Sequence, residues 1–163
     1  MTMKHLAEGA RGAPLIRRPW MAGFMMLMGT LALATNAPAG EGGVIAADAA
    51  AELATNGEIL VIDVRSPREW RQTGVPKGAR QVTIHDPGGL PGFVEAVKVA
   101  LGGDLKRPIA VICATGNRST LARRVLAKAG FTRVLNIKEG MLGGPNGPGW
   151  LRRGLPVESC NAC

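Results

Sequence analysis

An α/β fold is predicted, with a mostly parallel sheet of about five short strands and helices on both faces, and three features of the sequence predict it. Two apolar runs, Ile59-Leu60-Val61-Ile62 and Ile109-Ala110-Val111-Ile112, have the composition of strands buried on both faces. Segments with helical spacing alternate with such runs, the order that a parallel sheet requires. Two polar clusters, Asp63-Val64-Arg65 and Cys113 to Ser119, directly follow the two buried runs. Ligands of open parallel sheets bind at those carboxyl ends, so both clusters are expected to meet in one site.

The elements follow in chain order. Val44-Ile45 reads as an edge strand and alanine-rich residues 47–55 as a helix, stopped by Asn56-Gly57. After the strand at 59–62, Ser66-Pro67-Arg68-Glu69 has the form of an N-cap, a proline at the first helical position and a capping-box glutamate, opening a helix through Gln72. Residues 74–78 read as a turn, 79–84 as a strand with partial alternation, and 85–89 as a break. Phe93, Val94, Val97 and Leu101 predict a helix over 91–101, ended by Gly102-Gly103. Beyond the strand at 109–112 come a helix over 120–129, a short strand at 134–137 and a stretch from Gly140 to Gly149 too rich in breakers for a long helix.

The chemistry is expected at Cys113-Ala114-Thr115-Gly116-Asn117-Arg118-Ser119, where a buried strand turns into a helix. Backbone N–H groups at such a turn lack intrahelical partners and converge on whatever occupies the loop, which favours an anion or a thiolate. Gly116 lets the chain bend, Arg118 adds a fixed positive charge, and Ser119 is placed to cap the helix or donate one hydrogen bond. Cys113 is therefore predicted to be a reactive nucleophile. Asp63 is expected to accept hydrogen bonds in its own turn, and Arg65 either to face the site or to pair with Asp63 or Glu69. Together they form a possible second layer around the loop.

Other classes of function are disfavoured on composition. The chain has 163 residues and a formal charge of +8, but residues 1–39 hold four of its cations, and the remainder carries 16 Lys and Arg against 11 Asp and Glu. Without a basic block interleaved with aromatics, no nucleic-acid partner is expected; a mildly basic face suits a small anion. A cysteine protease lacks a suitable histidine, since only His85, in a Pro-Gly-rich turn, lies outside the first 39 residues. A metal site is poorly supported too, because the candidate ligands beside the terminal Cys160-x-x-Cys163 are Cys113 and His85, both distant in sequence. No cofactor is read from the sequence.

The ends read differently from the middle. Lys4, Arg11, Arg17 and Arg18, an apolar stretch over 20–34 and Ala37-Pro38-Ala39 have the order of a cleavable signal peptide, so residues 1–39 are expected to direct export to a periplasm or the exterior, with cleavage after Ala39. An uncleaved N-terminal membrane anchor is the alternative. Residues 40–43 are a glycine-rich linker, 44–158 the folded domain and 159–163 a cysteine-containing tail. In an oxidising compartment Cys160 and Cys163 either close a disulfide or stay as tail thiols, and a sharper possibility is that one of them exchanges with Cys113.

Taken together, four ordered pieces resemble the rhodanese-like domain family of sulfurtransferases: Asp63-Val64-Arg65-Ser66-Pro67-Arg68-Glu69-Trp70, then Gly74 to Ala79, then Cys113 to Ser119, and lastly Glu139-Gly140-Met141 through Trp150 with Gly154-Leu155-Pro156-Val157. Two departures stand out: the 74–79 turn lacks the family's histidine, and residues 143–149 form an insertion at the rim. The resemblance implies that Cys113 takes a sulfane sulfur from an anionic donor such as thiosulfate and becomes a persulfide. It then passes the outer sulfur to cyanide, a thiol or a protein acceptor. A carrier or binding module that holds a persulfide or an anion without turnover is the alternative. A phosphatase of the related Cys-x5-Arg type is disfavoured, because only four residues, Ala114 to Asn117, separate Cys113 from Arg118.

Overall fold

The computed structural model describes residues 43–160 and 163; the expected leader, its cleavage after Ala39 and residues 40–42 of the linker lie outside them. Strands β1 (Val44–Ile45), β2 (Leu60–Asp63), β4 (Arg80–Gln81), β5 (Ile109–Ile112) and β6 (Val134–Ile137) form one sheet in the order β1-β6-β5-β2-β4, parallel throughout. Four helices connect or flank them: α1 (Ala47–Thr55), α2 (Pro67–Thr73), α3 (Gly89–Ala100) and α4 (Asn117–Lys128). Two two-stranded ribbons complete the described chain, β3 (Val75–Pro76) with β9 (Val157–Glu158) and β7 (Gly143–Gly144) with β8 (Gly147–Pro148).

The alternation of a strand explains the two cores. Ile109 and Val111 of β5 pack on one side with Ile62, Phe93, Val97 and Leu126, whereas Ala110 and Ile112 join Val61, Ala47, Ala50, Ile137 and Trp150 on the other. All four β5 residues are buried, as expected for the central strand of a sheet covered on both faces. Cys113 follows immediately and is itself buried.

The expected elements recur with shifted bounds, and each shift has a local cause. Instead of a strand over 79–84, only β4 pairs as a strand, because its partner β2 ends at Asp63; Val82 and Ile84 continue with single hydrogen bonds to the carbonyls of Asp63 and Val64. Helix α3 begins at Gly89, ahead of Pro91, since a proline in the first turn forfeits no intrahelical bond. Helix α4 begins at Asn117 rather than Thr120, so Arg118 and Ser119 lie in its first turn. The turn expected at 74–78 contains β3, which pairs with β9. Residues 140–149, read as too rich in breakers for a long helix, hold the small β7–β8 ribbon. No helix among the described residues is long and apolar enough to cross a membrane.

Candidate active site

The site is built where β5 ends. Gly116 lies in the left-handed region at φ 98°, and a Cβ there would run into the backbone carbonyl of Lys138, so glycine alone fits the close approach of these two segments. This turn brings the Gly116 N–H to 3.1 Å from Cys113 Sγ, with Ser119 Oγ at 3.4 Å. A hydroxyl has one hydrogen to donate. Ser119 Oγ also lies 3.0 Å from the Gly116 carbonyl, but that oxygen already accepts from the Thr120 N–H at 3.0 Å and the Thr120 hydroxyl at 2.8 Å. The Ser119 proton is thus free to turn to the sulfur. A second segment fixes the loop from behind: Met141 N–H donates to the Cys113 carbonyl at 2.8 Å and Leu142 N–H to that of Ala114 at 2.9 Å. Gly140, at φ 67°, makes this approach possible, for a Cβ would sit 2.5 Å from the Ala114 carbonyl oxygen.

Cys113 is 1% exposed, whereas Thr115 and Asn117 of the same loop are exposed and Ala114 is half-buried. The sulfur therefore lies at the floor of the loop. Cys113 is also the free cysteine among those described.

Arg118 does not reach across the loop to the sulfur. Its two terminal nitrogens donate to the two carboxylate oxygens of Glu69 at 2.8 and 2.6 Å, a bidentate pair that links the first turn of α4 to α2. Glu69 is held in turn by the capping box, accepting from the Ser66 N–H at 3.0 Å and hydroxyl at 2.7 Å. The hydrogen bonds from Arg118 lower the Glu69 pKa to about 2 against the opposing effect of partial burial, and Glu69 raises that of Arg118.

Arg65 and Asp63 stand one layer further back. Asp63 Oδ1 accepts from the Arg65 backbone N–H at 3.0 Å, the turn expected from the sequence. The Arg65 guanidinium meets Asp63 through Nε at 3.0 Å and Nη2 at 2.7 Å, Thr73 Oγ1 and the Gly74 carbonyl each at 2.7 Å, and the Glu69 carbonyl at 3.4 Å. Its five N–H groups are all engaged, and none is turned to Cys113. Arg65 fastens the end of β2 to α2, the helix that presents Glu69.

Two participants carry no chemical signal in the sequence. Glu69 is legible as a helix cap but not as the partner of Arg118, 49 residues away. The 138–142 segment forms the back wall through backbone atoms alone. The tail cysteines are bonded to each other, and Cys160 packs with Trp70 and Val75 in a cluster separate from that of Cys113. No group of ligating side chains among the described residues could hold a metal ion.

Comparison with known proteins bears on the fold and its relatives. Residues 46–144 match the Rhodanese-like domain family. A protein called Sulfurtransferase from Allochromatium vinosum is 29% identical over 106 residues, covering 64% of this chain and 83% of its own. The polysulfide-sulfur transferase homodimer of Wolinella succinogenes is 28% identical with a TM-score of 0.52, over 73% of this chain and 80% of that one. The rhodanese-like domain of the Alr3790 protein from Anabaena sp shares the fold at 22% identity and a TM-score of 0.57, over 72% and 80% of the two chains.

Proposed function

The chain belongs to the rhodanese-like domain family, and from that premise we propose that it is a sulfurtransferase with Cys113 as its nucleophile. The observation that supports this most directly is the pair of donors on one buried sulfur, Gly116 N–H and Ser119 Oγ–H. Donors fixed before the reaction stabilise a charge that stays on sulfur from thiolate to persulfide, with little reorganisation between the two.

In the proposed cycle the Cys113 thiolate attacks the outer sulfur of an anionic donor such as thiosulfate. A sulfur–sulfur bond forms on the enzyme, the bond within the donor breaks, and sulfite leaves with its electron pair. Cyanide or a thiolate then attacks the outer sulfur of the persulfide, and Cys113 is regenerated as a thiolate; a protein thiol could fill the same role. Arg118 acts as a positioning residue through Glu69, holding the first turn of α4 so that its donors face the sulfur. Its charge lies near enough to the loop to assist an approaching anion, although Glu69 neutralises most of it.

Intact mass of the protein before and after thiosulfate tests the reading. Gain of one sulfur by the wild type and none by Cys113→Ser is expected; gain by both or by neither would sink it. A persulfide mass without turnover to cyanide or thiol would point to a carrier. Phosphate chemistry is disfavoured by the four-residue spacing, and Cys113-dependent hydrolysis of an aryl phosphate would revive it. Residues 1–39 fit an export leader, and the N-terminal mass of protein recovered from the producing cell would reveal cleavage after Ala39.

A further inference from the structure

The tail is packed onto the helix that serves the site. Strand β9 pairs with β3, immediately after α2, and Gly74 lies so close beneath Glu158 that a Cβ would be 2.6 Å from its carbonyl oxygen. Past Ser159, the Cys160–Cys163 disulfide closes the chain over α2, with Cys160 against Trp70 and Val75 and its sulfur 3.6 Å from Gln81 Nε2. Arg71, on the same helix, donates to the Cys163 carbonyl. Trp70 is buried and its indole N–H has no acceptor among the described residues, although a buried indole N–H ordinarily finds one.

We propose that this disulfide is a thiol-exchange site for a dithiol reductant, and that its state sets the order of α2 and, through Glu69, of the Cys113 loop. The last consequence rests on the sulfurtransferase reading; the exchange itself does not. Cys163 is the more exposed of the two cysteines, and a cavity of about 270 Å³ opens beside Cys160 between Arg71, Thr73, Gly74, Val157 and Ser159. A thiolate of the reductant attacks the Cys163 sulfur, the Cys160–Cys163 bond breaks, and Cys160 leaves as a thiolate. That thiolate is formed against Trp70, whose indole N–H has no acceptor among the described residues, and beside the Gln81 amide, donors suited to a new anion. The second thiol of the reductant then attacks the mixed disulfide and releases Cys163. Two electrons pass to the protein, the two thiol protons end on Cys160 and Cys163, and the reductant leaves as its disulfide.

Opening the ring leaves the β3–β9 pairing and the Lys77 N–H bond to the Pro156 carbonyl in place. It releases Cys160 to move off Trp70 and Val75 and the Cys163 carbonyl to move off Arg71, so α2 loses part of its cover. The elements that α2 supports are Glu69 on Arg118 and Thr73 and Gly74 on Arg65.

The full chain, treated under native conditions with dithiothreitol in a Cys113→Ser background, should become alkylatable at both tail cysteines. Amide exchange over residues 67–76 should quicken about tenfold while residues 120–128 stay as they were, because local opening follows local cover. A Cys160→Ser/Cys163→Ser variant with Cys113 intact should show the same exchange pattern without reductant and load sulfur about threefold more slowly, as a coupling of this size implies. Tail cysteines that resist dithiothreitol until the protein unfolds would overturn the proposal, as would identical exchange over 67–76 in both redox states. If Cys113 never takes up sulfur while the exchange pattern appears as expected, the sulfurtransferase reading fails and the exchange site stands.

Discussion

Two arginine–carboxylate pairs fasten α2 to its neighbours, and they differ chiefly in solvent access. Arg65–Asp63 is closed off, with side chains 1% and 0% exposed, while Arg118–Glu69 keeps 27% of each side chain exposed. Both are bidentate, so contact geometry alone would rank them as equals. Their surroundings separate them. A buried charge deprived of its partner has no water to turn to, whereas an exposed one is rehydrated. The inner pair therefore holds the fold together, and the outer pair aligns the loop at modest energetic consequence.

The largest effect that should follow from this contrast is on Arg65→Met, which strands Asp63 without its cation and takes the guanidinium away from Thr73 Oγ1 and the Gly74 carbonyl. A loss of about 3–5 kcal/mol in urea denaturation is expected. Glu69→Gln should instead cost only about 1 kcal/mol. Its main consequence should be kinetic, a fall of about tenfold in the rate of sulfur loading on Cys113 as the first turn of α4 loses its brace. Equal destabilisation by the two substitutions would erase the distinction between the pairs.

The smallest effect is in acid. The Glu69 pKa is lowered from 4.5 to about 2, so its stabilisation is complete above the unfolded value and disappears as pH falls through the folded one. Solvent screening at this partly exposed pair limits the amount to about 1 kcal/mol. Stability followed by denaturation between those two pH values should decline less in Glu69→Gln than in the wild type. Identical slopes would mean that the pair contributes nothing measurable.

What could be read from the sequence divides along a physical line. Elements dictated by local pattern were legible: the buried runs at β2 and β5, the capping box at Ser66 and Glu69, and the strand-to-helix turn at Cys113. Features that depend on distant segments were not. Nothing near Arg118 announces Glu69, since the two meet only after β2 and β5 have paired. The shortness of β4 is set by where its neighbour stops, and the β3–β9 ribbon joins segments read separately as a turn and as the closing stretch of the domain. Arg65 is an intermediate case: the sequence left it facing the site or pairing nearby, and the acceptors contributed by Thr73, Gly74 and Glu69 decide for pairing.

The depth of Cys113 has a regiochemical consequence for any sulfur it carries. A persulfide offers two electrophilic sulfurs, and a nucleophile that strikes the inner one expels hydrosulfide and leaves the enzyme trapped as a mixed disulfide. With the cysteine 1% exposed and its own sulfur in contact with the Gly116 amide and the Ser119 hydroxyl, the inner atom is sterically shielded, and an added sulfur would be the one open to attack. Burial in this arrangement would select which bond an acceptor can break, and so protect the cysteine from a dead end to which an exposed persulfide lies open.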